Sequence, residues 1–461
     1  MGSKNTIDML GGSLARPMLM FALPLIASGI LQQSFNSVDV AVVGRFAGSN
    51  ALAAVGSNGP VIGLLINMFI GLSVGVNVVI ANYIGQRNSR GVRDAVKASA
   101  VLAVASGILM TVVSLLVARP ILEALDTPES CLEQAVLYLR IFAIGMPFMI
   151  IYNFGSAILR SVGDTKRPFY SLVAAGLVNV CLNLVFVVGM GMGVDGVAWA
   201  TVISNVVNAG VVVWLLAKEK SDIRLDLRSW APHWKQMRKI ASVGIPAGLQ
   251  STVFSISNVF ILSAINSFGA NAAAGSAAAI NYEMYCYFVI NAFGQTCVAF
   301  TSQNFGAGRL DRCRKVLKIS LLYSITVSAA LNIFITWQRD IFVSVFTTDP
   351  EVLFFAGERV ATVLLLQFIA CYYEMAGSSL RGLGYSMTPA LITIFGTCVL
   401  RLFWVAFFPS TGSFSELLLI YPVSWALTDA IMLVAYARIR RKLGVTVPYT
   451  APKASRESVP A

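Results

Sequence analysis

Long apolar stretches separated by short polar segments run through the chain from residue 17 to residue 437. A helix needs about 20 apolar residues to cross the hydrocarbon core of a bilayer. Twelve stretches are long enough, namely 17–43, 52–82, 98–118, 132–158, 169–189, 197–217, 240–266, 273–302, 319–337, 352–379, 389–408 and 417–437. The pattern predicts an all-α membrane protein with twelve transmembrane helices.

The second half of the chain repeats the first at an offset near 221 residues. "ILRSVGDTKRP" (158–168) matches "SLRGLGYSMTP" (379–389), and "NYIGQRNSRGVRDAVKAS" (82–99) matches "QNFGAGRLDRCRKVLKIS" (303–320). Six helices per repeat keep both halves in one orientation, as in parallel-repeat transporters. We therefore expect two pseudo-symmetric lobes, 1–222 with helices 1–6 and 223–461 with helices 7–12. A disordered tail is expected after about residue 443.

The basic residues lie mainly on one side of the predicted membrane. Of 34 Lys and Arg, the odd-numbered loops hold three (Arg45, Arg119 and Arg339) and three lie within helices (Arg140, Arg359 and Arg401). The termini and even-numbered loops hold the other 28. By the positive-inside rule, both termini are predicted to lie in the cytoplasm, with the chain in the inner cell membrane.

Composition excludes several classes of protein. Only 12% of the residues are charged, and 57% are apolar. The net charge of +12 is spread over short loops, so it does not form a nucleic-acid surface. A single histidine and scattered cysteines offer no haem or zinc site, and no Walker sequence is present, so no cofactor is expected.

Four acidic residues fall inside predicted helices, where a charge is costly and suggests function. Asp39 of helix 1 is expected at the same depth as Asn179 and Asn183 of helix 5 and Thr201 of helix 6. One carboxylate with amide and hydroxyl oxygens suits a small hard cation or a bound proton. A hydrogen-bond cluster that only holds helices 1, 5 and 6 together is the alternative.

The other three acids lie in the second half. Glu283 lies beside Tyr282 and Tyr285, and a carboxylate among aromatic rings suits an organic cation. An acid near the outer end of helix 8 is the alternative. Glu374 is a second candidate for the substrate, unless it pairs structurally with Arg401, the one deep cation in this interpretation. Asp429, which matches Asn208 in the first half, is interpreted as structural.

These residues lie in segments that resemble the multidrug and toxic compound extrusion (MATE) family. The resemblance runs through "FALPLIASGILQQSFNSVDVAVVGRFAG" (21–48), residues 159–204, "YYEMAGSSLRGLGYSMTP" (372–389), "RLFW" (401–404) and "YPVSW" (421–425). It covers nearly the whole chain and preserves the order of the motifs.

The resemblance implies a V-shaped antiporter that exports organic cations and other amphipathic compounds in exchange for sodium or protons by alternating access. It places the coupling cation at Asp39, Asn179, Asn183 and Thr201. It adds Gln33 and Asn36 to the substrate candidates Glu283, Glu374, Tyr282 and Tyr285. A transporter that acts as a monomer, and not an enzyme, is expected.

Two positions depart from the family pattern. Similar proteins often have Asp where this chain has Asn183, so the site keeps one carboxylate and the coupling ion is either sodium or a proton. Some members carry an acidic residue near Phe254, and this chain has none between Gly244 and Phe268. Acidic chemistry in the second lobe then falls to Glu283 and Glu374.

Three other functions fit a duplicated helical membrane protein. A lipid-linked oligosaccharide flippase of the same superfamily is the main alternative, and it requires several basic residues around its cavity. An integral membrane enzyme requires clustered His, Asp or Glu. A channel fits less well with two halves that differ in their polar residues.

Overall fold

The computed structural model describes residues 6–125, 127–226, 232–345, 349–408 and 412–446. The regular structure in these ranges is helical. The first half contains α1 (Ala15–Ala47), α2 (Ser49–Gly85), α3 (Ser89–Ala124), α4 (Glu129–Ser161), α5 (Lys166–Gly189) and α6 (Val194–Ala217). The second half contains α7 (Trp234–Asn266), α8 (Ala270–Gly306), α9 (Leu310–Trp337), α10 (Pro350–Gly382), α11 (Met387–Ala406) and α12 (Ile420–Thr446). Short helices at Arg339–Ser344 and Phe414–Leu418 precede α10 and α12.

The twelve predicted stretches each fall on one of these long helices. Within the described residues, eleven helices are both long and apolar enough to cross a membrane. The remaining one, α8, has 37 residues and therefore a length of about 55 Å. It is rich in Ala, Gly and Asn, which lowers its apolarity, but it lies in sequence between two membrane-spanning neighbours. The tail beyond residue 446 lies outside the described residues, and α12 extends past the predicted tail boundary at 443.

Local chemistry sets several helix ends. The side chain of Asn88 accepts a hydrogen bond from the Gly91 N–H and caps α3. Asp349 caps α10 in the same way, and Pro350 follows at the first helical position, where its missing N–H costs nothing. These caps start both helices at the polar segments between apolar stretches.

α1 contacts both halves of the molecule. Met18, Phe21 and Ala22 are buried in one apolar cluster with side chains of α8, α9 and α10. Further along, Phe35 packs against Gly176 of α5 so closely that a Cβ on this glycine would overlap its ring. The start of α1 therefore packs with the C-terminal lobe, although it belongs to the N-terminal lobe in sequence.

The two lobes meet along α2, α7 and α8. Gly71 of α2 lies against the backbone of Gly248 of α7, and Gly75 lies against the Ile240 carbonyl; an added Cβ would come within 2.1 and 2.3 Å of those backbones. These contacts lie toward the membrane side that bears the basic loops. The lobes are thus in backbone contact on the basic side. Near the opposite ends of α1 and α7, Val40 and Phe260 are exposed.

Candidate functional site: a carboxylate–amide cluster between α1 and α5

Asp39 of α1 lies in contact with the amides of α5. The Asn183 amide donates to Asp39 Oδ1 at 2.5 Å, and the same nitrogen lies 3.3 Å from Asn179 Oδ1. Asn179 and Asn183 are buried, and Asp39 is half-buried. The structure therefore brings together three of the four residues that the sequence proposed for the cation.

Both helices change their geometry next to this cluster. α1 turns from α-helix to π-helix at Val43–Ala47, one turn after Asp39. α5 does the same at Leu184–Gly189, directly after Asn183. The two π segments contact each other. Such distortions are frequent at functional sites, and the apolar sequences of these segments give no sign of them.

The cluster has spare acceptor capacity. Asn183 Oδ1 is buried and has no hydrogen-bond partner among the described residues. A buried acceptor without a donor is costly, whereas a hard cation prefers carboxylate and amide oxygens. No group of three or more His, Cys, Asp or Glu forms a metal site within the described part of the chain. The arrangement therefore fits a weakly held monovalent cation or a proton on Asp39.

Thr201 takes no part in these bonds. Its hydroxyl donates to the Val197 carbonyl at 3.0 Å, one turn back in α6. This bond is typical of a threonine within a membrane helix. Ligation of the cation by Thr201 would require its hydroxyl to rotate away from this carbonyl.

Glu283 is held by a cation that the sequence interpretation did not pair with it. Arg359 donates to both carboxylate oxygens, at 2.7 and 2.9 Å, and both residues are buried. The Gln367 amide also donates to the Glu283 carbonyl. The alternative interpretation of Glu283, an outer helix-end acid facing an aromatic belt, is therefore wrong, because its carboxylate is paired with Arg359 inside the lobe.

The neighbouring tyrosines differ in their availability. The Tyr282 hydroxyl donates to the Phe342 carbonyl at 2.7 Å, which ties α8 to the short helix before α10. Tyr285 is half-buried. On the facing helix, a Cβ at Gly29 of α1 would meet the Phe288 ring at 2.8 Å. This contact brings the α8 surface near Tyr285 close to the part of α1 that carries Gln33, which is half-buried, and Asn36, which is exposed.

The alternative interpretation of Glu374, a structural pair with Arg401, is wrong, because Glu374 pairs with Arg381. Glu374 lies 3.5 Å from Arg381, which also donates to Gln250 of α7 at 2.8 Å. Arg401 is fully buried and bonds to Ser424 and Asn258. Its guanidinium lies over the rings of Tyr421, Phe254 and Trp425 at 4.5, 5.3 and 5.9 Å.

Arg401 is also not the one deep cation, since Arg359 and Arg381 are buried as well. Arg359 lies 76 residues from Glu283, so nothing in the local sequence indicated that pair, whereas Arg381 follows Glu374 on the same helix and was overlooked. Asp429 accepts the backbone N–H of Tyr373 at 2.7 Å, a bond that joins α12 to α10. This contact agrees with the structural role expected for Asp429.

The MatE family profile matches residues 24–185 and 246–406, which together make up more than half of the chain. The chain belongs to the MATE family. The two matched segments begin 222 residues apart, which confirms the internal repeat found in the sequence. Membership confirms the resemblance and shows that the protein is a multi-pass membrane transporter.

Curated MATE-family relatives cover most of the chain. "Probable multidrug resistance protein YoeA" of Bacillus subtilis is 28% identical over 83% of this chain and 84% of its own. "Probable multidrug resistance protein NorM" of Thermotoga maritima is 27% identical over 84% of each chain. Both relatives are named as probable multidrug resistance proteins.

Solved structures share the fold. A MATE transporter in a straight conformation has a TM-score of 0.88 and 22% identity, with 97% of this chain and 100% of that chain covered. An outward-facing multidrug resistance MATE transporter has a TM-score of 0.87 at the same identity and coverage. The predicted fold, twelve helices in a V-shaped pair of lobes, is confirmed.

Proposed function

We propose that this protein is a secondary antiporter of the inner membrane that exports organic cations and other amphipathic compounds in exchange for sodium or protons. The contact between Asp39 and Asn183 carries the proposal. It puts an ionisable group next to a buried acceptor with no partner, in the lobe to which the family resemblance assigns the coupling ion.

The position of α1 supports a mechanism of coupling. Its outer part carries Asp39 against α5, while Met18 and Phe21 near its start are buried among side chains of α8–α10. A change of charge at Asp39 alters the packing of α1 on α5, and α1 transmits this change to the opposite lobe. Because coupling free energies are reciprocal, the ion that favours one state of α1 must oppose substrate binding in that state.

The substrate is proposed to bind between the lobes, where α1 and α8 face each other. Gln33 and Asn36 follow Gly29 along α1, and Tyr285 precedes Phe288 on α8, so all three lie within two helical turns of the Gly29–Phe288 contact. Glu374 is only partly buried and lies 3.5 Å from Arg381, so it can exchange this cation for one on the substrate. Glu283 and Tyr282 contribute indirectly, because both already have strong partners.

The buried arginines do not favour the flippase alternative. Arg359 and Arg381 pair with carboxylates, and Arg401 lies among aromatic rings. A pyrophosphate site needs cations that are free to meet the ligand. The proposal also includes an orientation with both termini in the cytoplasm. It further includes action as a monomer, with two lobes that divide near residue 222.

The test is transport of a fluorescent organic cation in proteoliposomes under separately imposed sodium and proton gradients. One gradient should drive uptake, and Asp39→Asn should abolish the driven component while leaving substrate binding measurable. Asp195→Asn is the matched control, because the Asp195 carboxylate accepts a hydrogen bond from the nearby Gly193 N–H at the start of α6. Undiminished gradient-driven transport by Asp39→Asn would remove the assigned role.

A further inference from the structure

One face of α9 carries a polar side chain at every fourth position. The residues are Ser320, Ser324, Ser328, Asn332 and Thr336. Residues four apart lie on one side of a helix. The first four are fully buried. At 1.5 Å per residue the row is about 24 Å long, most of the roughly 30 Å hydrocarbon thickness.

Apart from weak contacts of the three serines with two thiols, the polar atoms of this row have no hydrogen-bond partner among the described residues. This holds for the hydroxyls of the three serines and Thr336, and for both amide atoms of Asn332. The thiols of Cys297 and Cys371 lie beside the row, and a thiol is a weak partner. A buried polar group without a hydrogen bond destabilises the folded protein, so a row of such groups needs other partners.

Other hydroxyls in the same protein are satisfied by their own helices. Ser99 of α3 donates to the Ala95 carbonyl at 2.7 Å, and Thr296 of α8 donates to the Ala292 carbonyl at 2.8 Å. The side chains on α9 adopt a different orientation, which leaves their hydroxyls directed elsewhere. Position within a packed helix therefore does not by itself explain why the hydroxyls on α9 lack such bonds to backbone carbonyls.

The neighbouring helix α10 is irregular where it meets α9. It passes through a π segment at Val360–Leu364 and a 3₁₀ turn at Gln367–Ala370, and both contact α9. Gln367 Oε1 is buried and accepts no hydrogen bond from the part of the chain that the structure describes. Breaks in the regular helical ladder also free backbone groups that need hydrogen bonds. The polar row of α9 and the irregular part of α10, both able to form hydrogen bonds, thus meet in the interior of the C-terminal lobe.

The helix of the N-terminal lobe that is equivalent to α9 in the internal repeat lacks this polar row. The internal repeat aligns Ser320, Ser324, Ser328, Asn332 and Thr336 with Ser99, Ala103, Gly107, Thr111 and Leu115 of α3. Of these five, Thr111 bonds to the Ala143 carbonyl at 2.8 Å and Ser99 bonds within α3. At the equivalent positions of the N-terminal lobe, the two polar side chains are therefore satisfied within the protein.

We propose that the seam between α9 and the irregular part of α10 binds a row of water molecules, which forms a polar route through the C-terminal lobe. Water suits the seam because the row contains both donors and acceptors and no carboxylate to hold a metal ion. Polar residues of this kind inside a membrane mark ion and proton pathways. The route is separate from the Asp39 cluster and does not depend on which ion drives transport.

Radiolytic footprinting of the full chain in lipid nanodiscs tests the proposal without a transport assay. X-rays convert bound water to hydroxyl radicals, which oxidise adjacent side chains even where bulk solvent has no access. Cys371 lies beside Ser324, and Cys131 lies in the apolar core of the N-terminal lobe; both are almost fully buried. Cys371 should be oxidised roughly ten times faster than Cys131. Equal rates in the unmodified protein would overturn the proposal.

Ser324→Ala provides the second measurement, with Ser99→Ala at the repeat-related position of α3 as its matched control. Loss of one water site should lower the oxidation rate of Cys371 in the first variant and leave it unchanged in the second. A Cys371 rate that is fast but insensitive to Ser324→Ala would contradict binding in the seam. Misfolding would be recognised by a rise in the oxidation of Cys131.

Discussion

Gly85 and Gly306, which are equivalent in the internal repeat, pack reciprocally across the junction of the two lobes. A Cβ on Gly85 would lie 2.1 Å from the Gln303 carbonyl oxygen, and a Cβ on Gly306 would lie 2.1 Å from that of Asn82. Asn82 and Gln303 are themselves repeat-related. The pseudo-twofold axis therefore passes through this contact, where α2 and α8 touch backbone to backbone on the side of the basic loops.

Gly306→Ala should weaken closure of this side, because the added methyl group has no space without separation of α2 and α8. Overpacking of this kind costs about 1–3 kcal/mol. We expect a lower thermal melting temperature and faster labelling of cysteines placed in the junction. Gly210→Ala is the control, since nothing lies within 4 Å of a Cβ there. Equal melting temperatures for both variants would contradict the tight contact.

The segment before α1 ties the lobes together on the same side. Ile7 N–H donates to the Gly163 carbonyl of the N-terminal lobe at 3.2 Å. Arg312 of α9 donates to the carbonyls of Gly11 and Gly12 at 3.1 and 3.0 Å. Met9 is buried in the cluster that α1 shares with the C-terminal lobe. If the lobes separate on the basic side, this segment must lose either its bond to Gly163 of the N-terminal lobe or its contacts with the C-terminal lobe.

Arg312→Gln should release this segment, because the glutamine loses the charged donors that hold the carbonyls. Hydrogen exchange at Ile7 should then accelerate by roughly tenfold, the equivalent of one hydrogen bond to a charged group. Exposed Arg314→Gln on the same helix serves as the control. Unchanged exchange in Arg312→Gln would show that the remaining contacts hold the segment, namely the burial of Met9 and the bonds from Asn304 and Arg309 to the carbonyls of Met9 and Leu10.

Asn183→Asp should favour sodium at the proposed cation site. The change supplies a second carboxylate next to Asp39, and cation affinity rises with the number of charged ligands. Sodium-dependent thermal stabilisation should appear at concentrations on the order of tenfold lower than in the unmodified protein. Asn208→Asp, one helix away and bonded to Ser171, is the matched control. A sodium response in the control alone would place the ion elsewhere.

Glu283→Gln should destabilise the C-terminal lobe rather than simply weaken substrate binding. It leaves the fully buried Arg359 without a counter-charge, which costs about 3–5 kcal/mol. The double variant Glu283→Gln with Arg359→Met should recover much of the lost stability. Thermal melting decides the question: if the single variant keeps its stability but loses affinity for organic cations, Glu283 is a direct substrate ligand instead.

The sequence was sufficient to predict the contact between Asp39 and Asn183. It was not sufficient to predict the ion pair between Glu283 and Arg359. Asn179 and Asn183 lie on one face of α5, and their depth follows from counting residues along a helix, so their proximity to Asp39 could be derived. Arg359 comes 76 residues after Glu283 on a helix whose rotation the sequence does not define. The π segments beside Asp39 and Asn183 are equally invisible, because their residues are as apolar as those of a regular helix.

The number of helices, the repeat and the family could all be derived from the sequence. Apolar length, periodicity and motif order are local properties of the chain, and a bilayer constrains them strongly. The pairing of the buried charges, the packing of the start of α1 with the opposite lobe, and the lack of strong hydrogen-bond partners for the polar face of α9 among the described residues came from the tertiary structure. These features depend on how helices rotate and cross, and that is set by side-chain packing between segments far apart in the chain.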